Sequence, residues 1–444
     1  MNRRSFSKTL AASTLFGFSA LQTSTSGARI LGANERIRCG FVGIANRGGQ
    51  LMAAFRQFAD KAEIAGLCDV DSAVLGKVYE ACEKRPLAVS DYRKLLDQTE
   101  IDALVIATPD HWHAIQTVDA CKAGKDVYVE KPMSVTVVEG RKMVEAARRY
   151  SRIVQVGIQR RSAKHFIELA KLGGDALVGF VSRARCFRLS NMTPDGIGRC
   201  QPTAPPATLD WNQWLGPRPE RPYQANITPY KFRWWDLYSS QIGNWGAHYL
   251  DGIRWFLGEE APTSVCAMGG RFVVKDDRTI PDTMEALFQF ASGRLISYSQ
   301  CEANSNAMMP LDANGRPLGD WELRGTDGTL YVSDAQAVRI TEHGGQFGAS
   351  GKRLDPKTWP GAPFTESVHR HVENFLECIR TRELPNCDAE IGHRTTSMCL
   401  LANISLAVGQ RLEWDAAAER FTNCEAANAL LHYEYRKPFV LSVE

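Results

Sequence analysis

The run Ile37-Arg38-Cys39-Gly40-Phe41-Val42-Gly43-Ile44-Ala45-Asn46-Arg47-Gly48 decides how this chain folds. Residues 37–44 have the length and apolar content of a buried strand, residues 43–48 form a glycine-rich turn, and residues 50–59 read as a helix. A second strand over 63–68 completes a strand-turn-helix-strand unit. The alternation continues through helices at 73–84, 92–97, 114–123 and 137–150, with strands near Ala88 and at 103–107, 126–129 and 153–157. Such alternation over about 120 residues predicts a doubly wound parallel sheet.

The turn carries chemistry. Gly43 to Gly48 stands where a dinucleotide fingerprint belongs, with Ala45 in place of the second glycine. The Ala45 methyl is expected to displace a pyrophosphate slightly, while the helix start at Asn46, Arg47 and Gly48 still offers N–H groups and a positive dipole. Asp69 ends the second strand 21 residues after Gly48, near the offset at which a carboxylate accepts from the adenosine ribose. Its charge would repel the additional phosphate of NADP, so NAD is the expected cofactor and NADP the alternative. A tight turn binding no phosphate is the bland reading.

Two further segments end strands. Ala107-Thr108-Pro109-Asp110-His111-Trp112-His113 follows the most apolar strand at its carboxyl end, where ligands collect in open parallel sheets. His111 and His113 lack a third ligand nearby and read as hydrogen-bonding groups, so no metal is expected. Glu130-Lys131-Pro132 directs Lys131 toward the same crevice, against the plain alternative of a surface lysine.

Past Arg161 the texture changes. A helix at 163–172 and a strand at 178–187 precede an irregular stretch at 193–238 rich in proline, tryptophan and tyrosine, long enough to suggest a functional loop. A helix at 245–257, alternating runs at 264–274, 284–290, 294–302, 321–324 and 329–332, and helices at 367–380 and 391–408 follow. The reading is an α/β protein: a Rossmann domain over 35–160, then an α/β domain over 161–444 with an open, mainly antiparallel sheet. Arg160, Arg161, Arg233, Trp234, Trp235, Asp236 and Tyr238 supply the stacking faces and hydroxyl partners of a carbohydrate pocket, or equally the aromatic content of a core or subunit interface.

Composition narrows the partners. Apolar residues make up 44% and charged residues 23% of the 444-residue chain, as in a soluble globular protein. Of 53 basic residues, Arg3, Arg4 and Lys8 account for the whole formal excess of +3, leaving a body in balance with the 50 acidic ones. That balance excludes the basic stripe which nucleic acids or anionic membranes require, so a small molecule is the expected partner. The opening itself pairs Arg3 and Arg4 with Phe6 and Lys8, an uncharged run at 9–21 and the small residues Ser26-Gly27-Ala28. It resembles a twin-arginine export signal over 1–28 and predicts a periplasmic protein; the run is too short to anchor permanently. The 12 cysteines show no Cys-x-x-Cys spacing and are expected to be mostly buried thiols.

The glycine turn, Thr108-Pro109 with His113, and Glu130-Lys131-Pro132, in this order, resemble the Gfo/Idh/MocA family of glucose-fructose oxidoreductase and inositol dehydrogenase relatives. Asn374-Phe375-Leu376-Glu377-Cys378-Ile379-Arg380 and the ending Tyr435-Arg436-Lys437-Pro438 extend the resemblance over essentially the whole mature chain. It implies an NAD(P)-binding Rossmann domain, a second domain whose sheet faces the nicotinamide or a partner subunit in a homo-oligomer, and sugars or polyols as substrates. It places Lys131 beside the nicotinamide and reacting hydroxyl, where an ammonium favours a developing alkoxide. Gly43, Ala45, Asn46, Arg47, Gly48, Asp69, Thr108, Pro109, His113, Glu130 and Lys131 form the expected cofactor set.

The same resemblance maps the family's second motif onto Gly243-Asn244-Trp245-Gly246-Ala247-His248-Tyr249-Leu250-Asp251, with His248 as the proton-accepting histidine. Asn244 departs from the pattern, since many members carry an aspartate there to orient and charge the histidine. An amide orients but does not stabilise imidazolium. Lys131 and His248 are the catalytic candidates; Arg160, Arg233, Trp235, Asp236, Asn244 and His248 are the substrate candidates.

Export constrains the reaction, because free nicotinamide cofactor is not expected to be plentiful outside the cytoplasm. The expected activity is oxidation at a hydroxyl of a sugar, polyol or glycoside by tightly retained NAD. The alternatives are an NAD-cycling glycosidase, lyase or epimerase, and a catalytically silent sugar-binding protein, which Ala45 and Asn244 motivate and Lys131 and His248 oppose.

Overall fold

The computed structural model describes residues 35–304, 306, 308–341 and 354–444, and the expected signal at 1–28 lies outside them. Six strands form the first sheet: β1 (Ile37–Val42), β2 (Ala62–Cys68), β3 (Leu87–Val89), β4 (Ala103–Ile106), β5 (Asp126–Val129) and β6 (Val154–Val156). Their order is β3-β2-β1-β4-β5-β6 and every pairing is parallel. The sequence order reverses between β1 and β4, which opens a crevice at their carboxyl ends where an α/β sheet receives ligands. All residues of β4 and β5 are buried, as expected for strands covered on both faces. One cover comes from far along the chain: Phe375 of the helix Phe364–Thr381 meets Phe55 and Tyr128 edge to face, with centroids 6.4 and 5.8 Å apart.

The second sheet comprises β7 (Val181–Leu189), β8 (Ser264–Gly270), β9 (Thr283–Gln289), β10 (Leu295–Cys301), β11 (Trp321–Gly325), β12 (Thr329–Val332), β13 (Gln336–Ile340), β14 (Lys357–Pro360), β15 (Leu412–Asp415) and β16 (Arg420–Phe421). Its order is β14-β13-β12-β11-β7-β10-β9-β8-β15-β16. Only β7 and β10 pair in parallel, so the sheet is mixed and mainly antiparallel. Strand β9 shows why one face is covered: Met284, Ala286 and Phe288 point inward while Glu285, Leu287 and Gln289 are exposed. The inward face packs against the helices Ala247–Leu257 and Ala389–Val408.

The strand expected from residue 178 begins at Val181, because residues before it coil into the helix Gly174–Val178. Strands β13 to β16 answer to no run singled out in the sequence; they are two to five residues long, and such pieces carry too few alternations to register. Residues 193–238 are built: Trp214, Leu215, Phe232, Trp234, Trp235 and Tyr238 pack with Ile197, Ile227 and Ile280 into a satellite core. All 12 cysteines are free thiols, eight of them buried. Burial raises the thiols of Cys39, Cys68 and Cys121 far above their ordinary range. Among the described residues, no helix is long and apolar enough to cross a membrane.

Candidate active site

The turn after β1 is a cradle. Gly43 adopts φ +76° with its α-carbon pressed on the chain after β4; a Cβ there would lie 2.8 Å from Thr108 N and 2.9 Å from Ala107 O. At Gly48 a Cβ would come within 1.9 Å of Gly43 O, so glycine is obligatory for the helix Asn46–Arg56 to close on the turn. That helix starts at Ala45 with no side-chain cap and no acidic residue in its first turn. Its leading N–H groups and dipole therefore face the crevice, as an anion site requires. Asp69, at the end of β2, receives Ile44 N and Asp71 N at 3.0 Å each. Burial raises its carboxyl above the usual range, and its backbone bonds oppose that shift. These residues fit a dinucleotide: a pyrophosphate on the uncapped helix start and a ribose against Asp69.

Two confluent cavities, of about 340 and 510 Å³, occupy the crevice, each within the range of small-ligand sites. The first follows the glycine turn past Asp69, Thr108 and Pro109. The second holds Lys131, His248, Asn244 and Glu130. Asn46, Arg47, Ala107, Thr108, Tyr230 and Arg233 line both, so a ligand laid along the first enters the second.

Lys131, which follows β5 and precedes a cis Pro132, donates from Nζ to the backbone oxygen and to Oδ1 of Asn244, each at 2.7 Å. Burial pulls its ammonium down to about 8; Arg233 and Arg47 add to the fall while Glu130 and Asp110 oppose it. Asn244 belongs to a π-helical turn, Ile242–Gly246, that opens into the helix Ala247–Leu257. One turn on, His248 is 8% exposed and its Nδ1 is buried with no hydrogen-bond partner among the described residues. Burial first, then Lys131, Arg160 and Arg47, hold the imidazole well below its ordinary range, so it is neutral.

Arg47 and Glu130, both expected at the cofactor, bind one another at 2.7 Å and tie the start of the helix to the lysine loop. His113 is likewise a clamp: its ring nitrogens reach Thr108 O at 3.0 Å and Pro132 O at 2.8 Å. Thr108 gives its hydroxyl to Gln116 at 2.8 Å. Arg160 lies on the second cavity, held by Asp320 at 2.6 Å and Asp334 at 2.9 Å. Arg233 sits where the cavities join, its guanidinium 4.2 Å from the Tyr230 ring.

Three expectations are corrected. Trp235 lines neither cavity; its indole packs in the satellite core and donates to Asn226 O at 3.0 Å. Asp236 is exposed and binds Thr279 Oγ1 at 2.7 Å, away from the crevice. Asn244 orients Lys131 and not the histidine. Asp251, one turn beyond His248, pairs with Arg161 at 2.7 Å.

Other wall residues had escaped sequence reasoning. Asp110, held by Ser239 and pushed up by burial, faces Lys131 across the cavity. Trp245 and Tyr249 stack on successive turns, with centroids 6.4 Å apart, and with Tyr230 and Phe364 they give the cavity an aromatic wall. The i, i+4 spacing of Trp245 and Tyr249 was a signal; nothing local marks Phe364 or Asp334. No group of histidine, cysteine, aspartate or glutamate among the described residues is arranged to hold a metal ion.

The strand order, the glycine cradle and the uncapped helix start define a dinucleotide-binding Rossmann domain. A model described as oxidoreductase family, NAD-binding Rossmann fold, matches residues 37–158, and its companion, the C-terminal alpha/beta domain, matches 156–276 and 363–441. The chain belongs to the GFO/IDH/MocA oxidoreductase family, and its first domain is an NAD-binding Rossmann domain.

Among curated relatives, the alpha-N-acetylgalactosaminidase of Shewanella oneidensis is 32% identical over 123 residues, 26% of this chain and 27% of the relative. A glycosyl hydrolase family 109 protein of Shewanella sp. strain ANA-3 matches to the same extent. The match thus spans about a quarter of these relatives' length. Among solved structures, the WlbA dehydrogenase from Bordetella pertussis, in complex with NADH and UDP-GlcNAcA, aligns with TM-score 0.61 and 21% identity over 86% of this chain and 99% of that one. Levoglucosan dehydrogenase with NADH and levoglucosan aligns with TM-score 0.63 and 17% identity over 85% and 99%. At such identities these likenesses establish the fold.

Proposed function

We propose that this protein oxidises a hydroxyl of a sugar or glycoside with NAD that it retains, Lys131 and His248 handling the alcohol proton. The observation that carries the reading is the meeting of Lys131, His248 and the glycine cradle on confluent cavities. An ammonium has three N–H donors. Asn244 takes two of them, which leaves the third for the alcohol oxygen, where it favours the alkoxide that develops as hydride departs. His248, neutral at physiological pH, accepts the hydroxyl proton. NAD, when bound, supplies the hydride acceptor. The aromatic wall offers faces to sugar C–H surfaces, and Arg160 and Asp334 offer hydrogen bonds to hydroxyls.

A second reading is favoured by the relatives named as glycosidases: hydride leaves the glycoside, the activated ring eliminates its aglycone with a proton, water adds to the unsaturated ring in its place, and hydride returns, so that the net change is hydrolysis with no net redox. Export of the protein, expected from residues 1–28, suits both readings when hydride on the retained dinucleotide is passed to the carbonyl of a second sugar in the first and back to the same ring in the second, because neither then draws on external cofactor.

The test begins with purified protein. Denaturation should release NAD into the supernatant, and addition of sugars or glycosides should raise or bleach the reduced-nicotinamide absorbance. Release of free sugar without lasting absorbance change selects the glycosidase cycle. Protein that holds NAD yet answers no carbohydrate by either signal rejects the proposal.

A further inference from the structure

We propose that residues 206–233 of the second domain form the outer wall of the NAD site and make the dinucleotide a non-exchanging prosthetic group; this rests on NAD binding in the Rossmann crevice. Ten of the 27 residues lining the dinucleotide cavity belong to this strap, among them Leu209, Trp214, Tyr230 and Arg233. Nothing in the glycine turn requires them, and a Rossmann crevice is otherwise open on that side.

The strap is stitched across the carboxyl ends of the strands. Leu209 and Asp71 form an antiparallel bridge. Ser72 N donates to Thr208 O at 2.8 Å, Ser72 Oγ to the same oxygen at 3.2 Å, and Asp210 N to Val70 O at 2.9 Å. These bonds close over the end of β2 immediately beyond Asp69, where the adenosine ribose would lie. Past β4, Trp214 O accepts from Trp112 Nε1 at 2.9 Å and lies 3.0 Å from His111 Nε2. Asp110 accepts from Ser239 just beyond the strap.

The strap does not open as a loose loop would. Trp211 stacks on Trp214 at 4.8 Å, and Trp214 meets Tyr238 edge to face at 4.9 Å. At its far end Trp234 donates to Glu302, which also pairs with the fully buried Arg278. Lifting the strap therefore means breaking backbone bonds and disrupting a packed aromatic cluster, a local unfolding event. On the side that the strap covers, a dinucleotide is released at the rate of that event.

The test measures exchange of bound NAD against isotopically labelled NAD in the holoenzyme, by rapid filtration and mass spectrometry. Ser72→Pro deletes both Ser72 bonds to the strap, yet Ser72 is the first residue of the helix Ser72–Glu80 and follows Asp71 in an extended conformation, positions that proline tolerates. Exchange should quicken roughly tenfold or more, as expected when one or two hydrogen bonds of closure are lost. The double variant Asp71→Cys/Leu209→Cys places thiols at bridged positions, within disulfide reach; oxidation should arrest exchange and reduction should restore it. Exchange that is fast in the unmodified protein, or indifferent to both changes, overturns the strap and leaves NAD-dependent chemistry standing. Protein that neither carries nor takes up NAD overturns both.

Discussion

Lys131 gives two of its protons to a single residue, meeting the backbone oxygen and the side-chain oxygen of Asn244 at 2.7 Å each. The amide leaves the lysine uncompensated by a negative charge at that point, and burial then draws its ammonium down to about 8.

If the ammonium is the working form, kcat/KM falls as pH rises through about 8. Asn244→Asp sets a carboxylate against Nζ, which favours the charged form and should carry the alkaline limb upward by about one unit or more. A pH profile of kcat/KM for both proteins reads this directly. An unmoved limb removes Lys131 from the titration.

Lys131→Met and His248→Gln should each slow the hydride step by roughly 10²- to 10⁴-fold, the usual contribution of a placed acid or base. Single-turnover absorbance of the reduced nicotinamide separates this step from substrate binding. Both variants should keep their NAD; loss of the dinucleotide would instead mark the residue as a cofactor ligand.

Asp69→Asn retains an acceptor for Ile44 N and Asp71 N but removes the charge at the ribose site. Preference for NAD over NADP should shrink by about tenfold or more. Reconstitution of apoprotein with equal amounts of the two dinucleotides, followed by release and quantification, gives the ratio. An unchanged ratio would place the source of discrimination elsewhere.

Arg278 is fully buried between Asp276 and Glu302, themselves fully buried. Arg278→Met strands two carboxylates in the interior and should cost about 3–5 kcal/mol. Denaturant unfolding measures the loss, and Arg278→Met combined with Glu302→Gln should recover part of it.

What the chain disclosed by itself was whatever local geometry dictates. Gly43 and Gly48 are legible because no other residue tolerates their contacts, and Lys131 because a strand end aims it. Trp235 and Asp236 were misplaced for a physical reason: an indole with one N–H suits a core as well as a sugar face, and only packing against Trp214 and Phe232 decides. Phe364 and Asp334 reach the cavity from beyond residue 330 by way of sheet topology, which no periodicity encodes. The parallel pairing of β7 with β10 is silent in sequence for the same reason.

The π-helical turn at Ile242–Gly246, closed by Ala247 N on Ile242 O, packs one more residue into its coil than an ordinary turn would hold. Removing a single residue there would let the helix run straight. Everything upstream would then be rotated by about 100° about its axis, withdrawing Asn244 from Lys131 and dragging Ser239 off Asp110 in the same motion. The lysine's partner and the hem of the aromatic segment thus share one irregularity of winding, and a change in chain length at this point would disarm the chemistry and unfasten the cover together.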